Sequence, residues 1–276
     1  MPKRREAPVV VILVACLLAV IAPPAAASTL LPPLVDGESQ AETLTRTIFR
    51  THRPFDNLTL YPYDHTRAGG TGHKFGTIYK ALIRDLNPSL VIEVGVHYGL
   101  STISFAQLLK AENSGGAVLA VDTWLGATDW WGDGRAYLSG VGARKELLLG
   151  QRPIPMTDLL FENGHPSIYR HFLSNVVHAG VQDRVVPFPI PSTQAARFLA
   201  QRKISADLIH IDGSHEYSEV TADLKLWWPI VRAGGVLMGD DYFASDIRQA
   251  FTEFARRENV TLESWVREKV IVRKRA

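Results

Sequence analysis

Short, almost wholly apolar runs rich in β-branched residues alternate with amphipathic stretches along most of this chain, and that alternation permits few folds. Strand-like runs fall at 90–94, 117–121, 184–188, 207–211 and 235–238, and helical patterns at 74–86, 101–110, 168–179, 193–201, 217–231 and 246–257. A strand that is apolar on both faces has to be covered on both, which requires a parallel sheet with helices above and below it. The expected fold is α/β, a doubly wound Rossmann-like sheet, mostly parallel, closed by antiparallel C-terminal strands at 260–266 and 269–273.

The ends of the chain read differently. Lys3, Arg4 and Arg5 precede thirteen continuously apolar residues at 9–21, a Pro23-Pro24 break and Ala25-Ala26-Ala27, the three regions of a secretory signal. Thirteen residues fall short of the ~20 that span a bilayer. Residues 1–27 are therefore read as a signal peptide that sends the chain into the secretory pathway or out of the cell. The alternative is a membrane anchor formed by the same segment, the only part expected to meet a membrane. Residues 28–71, proline-bearing and helix-like only near 40–50, form an N-terminal extension to a domain at 72–276.

With 276 residues, 46% apolar and 21% charged, the chain can bury an ordinary core, which excludes disorder and coiled coil. Thirty basic residues face 28 acidic ones, and setting aside Lys3, Arg4, Arg5 and Glu6 leaves the signs balanced. No nucleic-acid partner is expected of such a surface. The only cysteine, Cys16, lies in the leader, so the body has no thiol nucleophile or disulfide, and any metal must use oxygen or imidazole ligands. One stretch, at about 123–166, breaks the rhythm with Trp124, Trp130 and Trp131. It is an insertion after the second strand, where loops surround the ligand crevice.

The first strand runs through Glu93 into Gly95, His97 and Gly99, and a helix opens at Ser101. Glycines allow a sharp bend and close backbone approach to a ligand, and the helix start offers free N–H groups. The spacing lacks both the Gly-x-Gly-x-x-Gly of dinucleotide sites and the Lys-Ser/Thr end of a phosphate loop. That absence fits S-adenosylmethionine, which carries no phosphate. Its site needs backbone approach to the amino-acid part and a carboxylate for the ribose, a role suited to Asp122 at the end of the second strand. His97, in the bend, can touch the cofactor or merely pack the loop.

Asp212 ends one apolar strand, with His215 three residues on, and Asp240 and Asp241 end the next. In a parallel sheet both tips open into the same crevice. Three carboxylates there would repel one another and hold their protons unless a cation compensated, which points to a hard divalent metal, Mg2+ best of all. His215 beside it could take a proton from a substrate hydroxyl. His210, inside its strand, reads as a core histidine, and Trp227 and Trp228 as core.

These residues resemble class I S-adenosylmethionine-dependent O-methyltransferases of the metal-dependent branch, which includes catechol O-methyltransferase and the macrolide-sugar O-methyltransferases. The likeness covers about 72–257 apart from the insertion and is carried by Pro88 through Gly95, Ala179 through Val185, and the paired acidic strand ends. It implies methyl transfer to a hydroxyl of a small-molecule acceptor bearing a vicinal diol, sugar or catechol-like. It also implies metal ligands Asp212, Asp240 and Asp241, a general base at His215, and cofactor contacts from Glu93, Ser101, Asp122 and Ser192. The Asp-Asp pair, and a histidine where catechol-type enzymes have lysine, look like the sugar-modifying branch. Two other readings stay open: a catalytically silent cofactor- or metal-binding module, and another metal-assisted enzyme such as a hydrolase. A homo-oligomer is also left open.

Overall fold

Strands β1 (Leu90–Val94), β2 (Ala117–Val121), β5 (Val185–Phe188), β6 (Ala206–Ile211) and β7 (Val231–Gly239) lie parallel; the first four are buried along their whole length, mostly by apolar residues, so none of them can tolerate a wet face. The computed structural model describes residues 37–63, 76–112, 114–126, 161–265 and 268–276. The expected leader at 1–27 and most of the insertion at 123–166 lie outside the described residues. Where the insertion ends, Phe161–Glu162 (β3) and His165–Pro166 (β4) make a small antiparallel hairpin.

The sheet has the order β5-β2-β1-β6-β7-β9-β8, where β8 is Leu262–Trp265 and β9 is Lys269–Arg273. Strand β9 returns antiparallel to β7, and β8 antiparallel to β9, so the expected closing pair forms. Alternation along each strand then divides the core. Leu90, Ile92 and Val94 join the layer containing α1 (Gln40–Phe49), α5 (Ser192–Gln201), α6 (Tyr217–Trp227) and α7 (Ser245–Glu258). Val91, Val118, Leu208 and Ile271 join the other, with α2 (Gly76–Leu86), α3 (Leu100–Ala111) and α4 (Ile168–His178). Each fully buried Val, Leu, Ile or Phe contributes roughly 1.5–3 kcal/mol, so two such layers hold the sheet firmly.

Helix α1 shows that the N-terminal extension is part of the fold. Ser39 and Glu42 cap its start reciprocally, and Ala41 and Leu44 are buried in the first layer. The helix expected at 217–231 stops at Trp227 and tightens into a single 3-10 turn at Trp228–Ile230. Pro229 has no N–H to continue the ladder, and β7 starts at once, at Val231, four residues ahead of the expected strand. Among the described residues no helix is long and apolar enough to cross a membrane.

Candidate active site

At the carboxyl end of β1 the chain bends with Gly95 at φ +86° and Gly99 at φ +94°. A Cβ on Gly95 would lie 2.2 Å from the Asp212 carbonyl oxygen and 2.5 Å from Gly213 Cα. The glycine is thus required by the loop after β6, which presses against the bend. Asp122, at the end of β2, accepts hydrogen bonds from the N–H groups of Val96 (2.7 Å) and His97 (2.9 Å) through Oδ2, and from that of Trp124 (2.7 Å) through Oδ1. The residue expected at the ribose therefore also fixes the bend. Trp124, which the sequence placed in the insertion, is 2% exposed, stacks on Phe172 and donates Nε1–H to the His97 carbonyl at 2.9 Å. His97, Trp124 and Asp241 all adopt left-handed backbone (φ +55°, +52° and +49°). Three of the nine such non-glycine residues among the described residues thus lie at the crevice edge.

Glu93 and Ser101, both expected to contact the cofactor, are hydrogen-bonded to each other. Glu93 is wholly buried and accepts from the hydroxyls of Ser101 and Thr102 and from His210 Nδ1 at 3.0 Å. A charge placed inside a strand needs such satisfaction. Parallel register sets Glu93 beside His210, on the face of α2 and α3. His210 Nε2 meets Lys269 Nζ at 3.1 Å. An ammonium only donates, so Nε2 is the acceptor and Nδ1 carries the proton given to Glu93. Burial, then the Lys269 charge, push the His210 pKa down in agreement.

Lys269 itself was read only as the first residue of a strand. Gly239 pairs with Val270, so the next antiparallel step outward sets Asp240 beside Lys269. Alternation with Ile271 turns Lys269 to the α2 and α3 face, where Nζ lies 5.4 Å from the Tyr79 ring centre. The sequence did hold a signal: a lysine heading the apolar Val270-Ile271-Val272 run.

The three aspartates are each accounted for differently. Asp240 Oδ2 pairs with Lys269 Nζ at 2.6 Å, and its Oδ1 accepts the Asp241 N–H at 2.7 Å. Asp241 Oδ2 lies 2.9 Å from His215 Nε2, the imidazole being 38% exposed and the carboxylate 8%. Burial is the largest influence and works to raise the Asp240 pKa, but Lys269 and His210 together outweigh it and the net direction is down. Asp212 is raised well above the ordinary carboxylate range, by burial first and Asp240 second.

The ligand atoms that lie together differ from the expected metal set. Among the described residues the acidic and imidazole side chains that offer ligand atoms within 4.8 Å of one another are Glu93, His210 and Asp212, not Asp212, Asp240 and Asp241. Glu93 and His210 are hydrogen-bonded to each other, and an ammonium faces the second imidazole nitrogen. As they stand, neither set fits Mg2+: a divalent ion at either place would repel Lys269.

Ser192, which the resemblance implied as a cofactor contact, has its hydroxyl engaged within the fold. Its hydroxyl donates to Asp223 Oδ1 at 2.5 Å and accepts Trp227 Nε1–H at 2.8 Å, tying α5 to α6. Burial raises the Asp223 pKa from 3.8 to about 6, against the opposing Ser192 hydrogen bond. A carboxyl group raised on folding stabilises the fold below its unfolded pKa, and that contribution is lost as pH climbs through the folded value. Asp223→Asn lacks the titration. Thermal melts should show wild type losing on the order of 3 kcal/mol relative to Asp223→Asn between about pH 4 and 6, with no further change above 7. A constant difference across that range contradicts the assignment.

A groove of about 1170 Å³, lined partly by α1 and residues 87–89 and 182–185, lies at the opposite end of the strands and contains none of the expected site residues. A family profile described as a methyltransferase domain matches residues 92–242, from β1 past Asp241. An uncharacterized protein, y4gI, of Sinorhizobium fredii (strain NBRC 101917 / NGR234) is 25% identical over 161 residues, 58% of this chain but 14% of the length of that relative. Two solved structures share the fold. The O-methyltransferase NovP has a TM-score of 0.51 at 19% identity, covering 74% of this chain and 81% of its own. A Staphylococcus aureus protein provisionally described as a caffeoyl-CoA O-methyltransferase also has a TM-score of 0.51, at 11% identity, covering 75% and 86%.

Proposed function

Because the chain belongs to the methyltransferase domain family, we propose that it moves a methyl group from S-adenosylmethionine to a hydroxyl oxygen of a small-molecule acceptor, sugar or catechol-like. One observation carries this reading: Gly95, in the bend suited to the donor, stands against the backbone of Asp212 and Gly213, two residues before His215. Donor bend and imidazole are then parts of one wall. With the donor's amino-acid part along the bend and Asp122 at the ribose, the acceptor would approach from the side of His215.

The Asp241 carboxylate orients the imidazole through Nε2–H, which leaves Nδ1 as the proton acceptor. The acceptor oxygen attacks the methyl carbon, the carbon–sulfur bond breaks toward sulfur, and the hydroxyl proton passes to His215 Nδ1. The products are a methyl ether and S-adenosylhomocysteine. Most of the rate would come from holding oxygen, carbon and sulfur in line. The reading needs no metal-chelated vicinal diol, since Asp240 is paired with Lys269 and Asp241 with His215.

Incubation with methyl-labelled donor and a panel of sugars and catechols tests it. Label should appear as an ether on one acceptor class, with one S-adenosylhomocysteine formed per methyl. Donor binding without transfer to any hydroxyl would overturn the reading in favour of a binding module.

A further inference from the structure

We propose that the Lys269 ammonium is the resident cation of the acidic strand tips, standing where a divalent metal would otherwise be needed, so that this chain turns over without one. The inference rests on the methyl-transfer reading for its last clause only. Lys269 is 1% exposed and enclosed by groups that hold it in place. Asp240 Oδ2 accepts from it at 2.6 Å, His210 Nε2 faces it at 3.1 Å, and the Tyr79 ring lies 5.4 Å away. On the far side of His210, Glu93 completes a chain of Glu93, His210, Lys269 and Asp240 through β1, β6 and β9 to the tip of β7.

The chemistry of that chain fixes its polarity. A carboxylate stands at each end, and the one full positive charge within it sits beneath the crevice. Carboxylates gathered at two strand tips need a counter-cation, and here the closing antiparallel strand supplies it covalently. Lys269 is too enclosed to touch a substrate. It is a positioning residue, which holds Asp240 at the tip of β7 and lets Asp241, the next residue, orient His215.

Mn2+ serves as the probe, read by electron paramagnetic resonance and calorimetry on the full chain, with labelled-methyl turnover measured in EDTA and in Mg2+. Wild type should leave the Mn2+ signal free up to ~1 mM, the weak end of protein sites for hard cations, and turnover should be the same in both buffers. Lys269→Met removes the charge with little change of volume and should bind Mn2+ at least roughly tenfold more tightly than wild type. Lys269→Arg should not. A lysine with a merely structural role would give an unstable Lys269→Met variant that gains no metal. Stoichiometric Mn2+ binding by wild type, or turnover lost in EDTA and restored by Mg2+, overturns the inference, as does a folded Lys269→Met variant without Mn2+ affinity. Should that variant fail to fold, the wild-type titration alone decides. Absence of methyl transfer in every buffer would defeat the functional reading and leave the Mn2+ result standing.

Discussion

Gly95→Ala should lose both stability and donor use. The added methyl would lie 2.2 Å from the Asp212 carbonyl oxygen, which belongs to backbone and cannot swing aside, and alanine resists φ +86°. Left-handed backbone and overpacking together cost roughly 3 kcal/mol or more. Relief requires the bend to move away from Asp212 and Gly213, which pulls the Val96 and His97 N–H groups off Asp122. A displacement of that size should lower kcat/KM by ~10²-fold in whatever fraction still folds. Denaturant unfolding and labelled-methyl kinetics check the two effects separately. A variant with wild-type stability and donor use would show that the close approach of the two loops is not needed.

His215→Ala should lower kcat by ~10²–10⁴-fold, the usual range for a lost general base, with donor affinity unchanged. The imidazole is 38% exposed, so stability should scarcely move. Asp241→Asn keeps the shape but no longer holds the Nε2–H tautomer by charge, and its loss should be smaller. A His215→Ala variant with wild-type kcat would remove the imidazole from the reaction. Equal losses in kcat and in donor affinity would make it a binding residue instead.

The central fold was legible because its strands are largely apolar on both faces, a property written locally. Strands β1 and β2 begin and end where their apolar runs do, at Leu90–Val94 and Ala117–Val121. The paired acidic tips and the glycine bend were readable for the same reason, each lying at the end of such a run. What could not be read depends on contacts between distant segments. Lys269 looks like an ordinary strand residue until antiparallel register sets it beside Asp240, 29 positions earlier. Ser192 looks like a free hydroxyl after the third parallel strand until Asp223 and Trp227 of α6 claim it. Glu93 sits in the motif that suggested a ligand, yet Ser101, Thr102 and His210 close around it. The aspartates at two strand tips suggested a cation, and Lys269 Nζ beside Asp240 is visible only in the fold.

Equilibrium titration of the protein with S-adenosylmethionine, S-adenosylhomocysteine and NAD, with and without Mg2+, tests most directly whether the bend between Gly95 and Gly99 is a methyl-donor site. One saturable site per chain for the two sulfur nucleosides, each competing with the other, indifferent to Mg2+ and absent for NAD, is the predicted outcome. Saturable binding of NAD alone, or no saturable binding of either sulfur nucleoside, would contradict it.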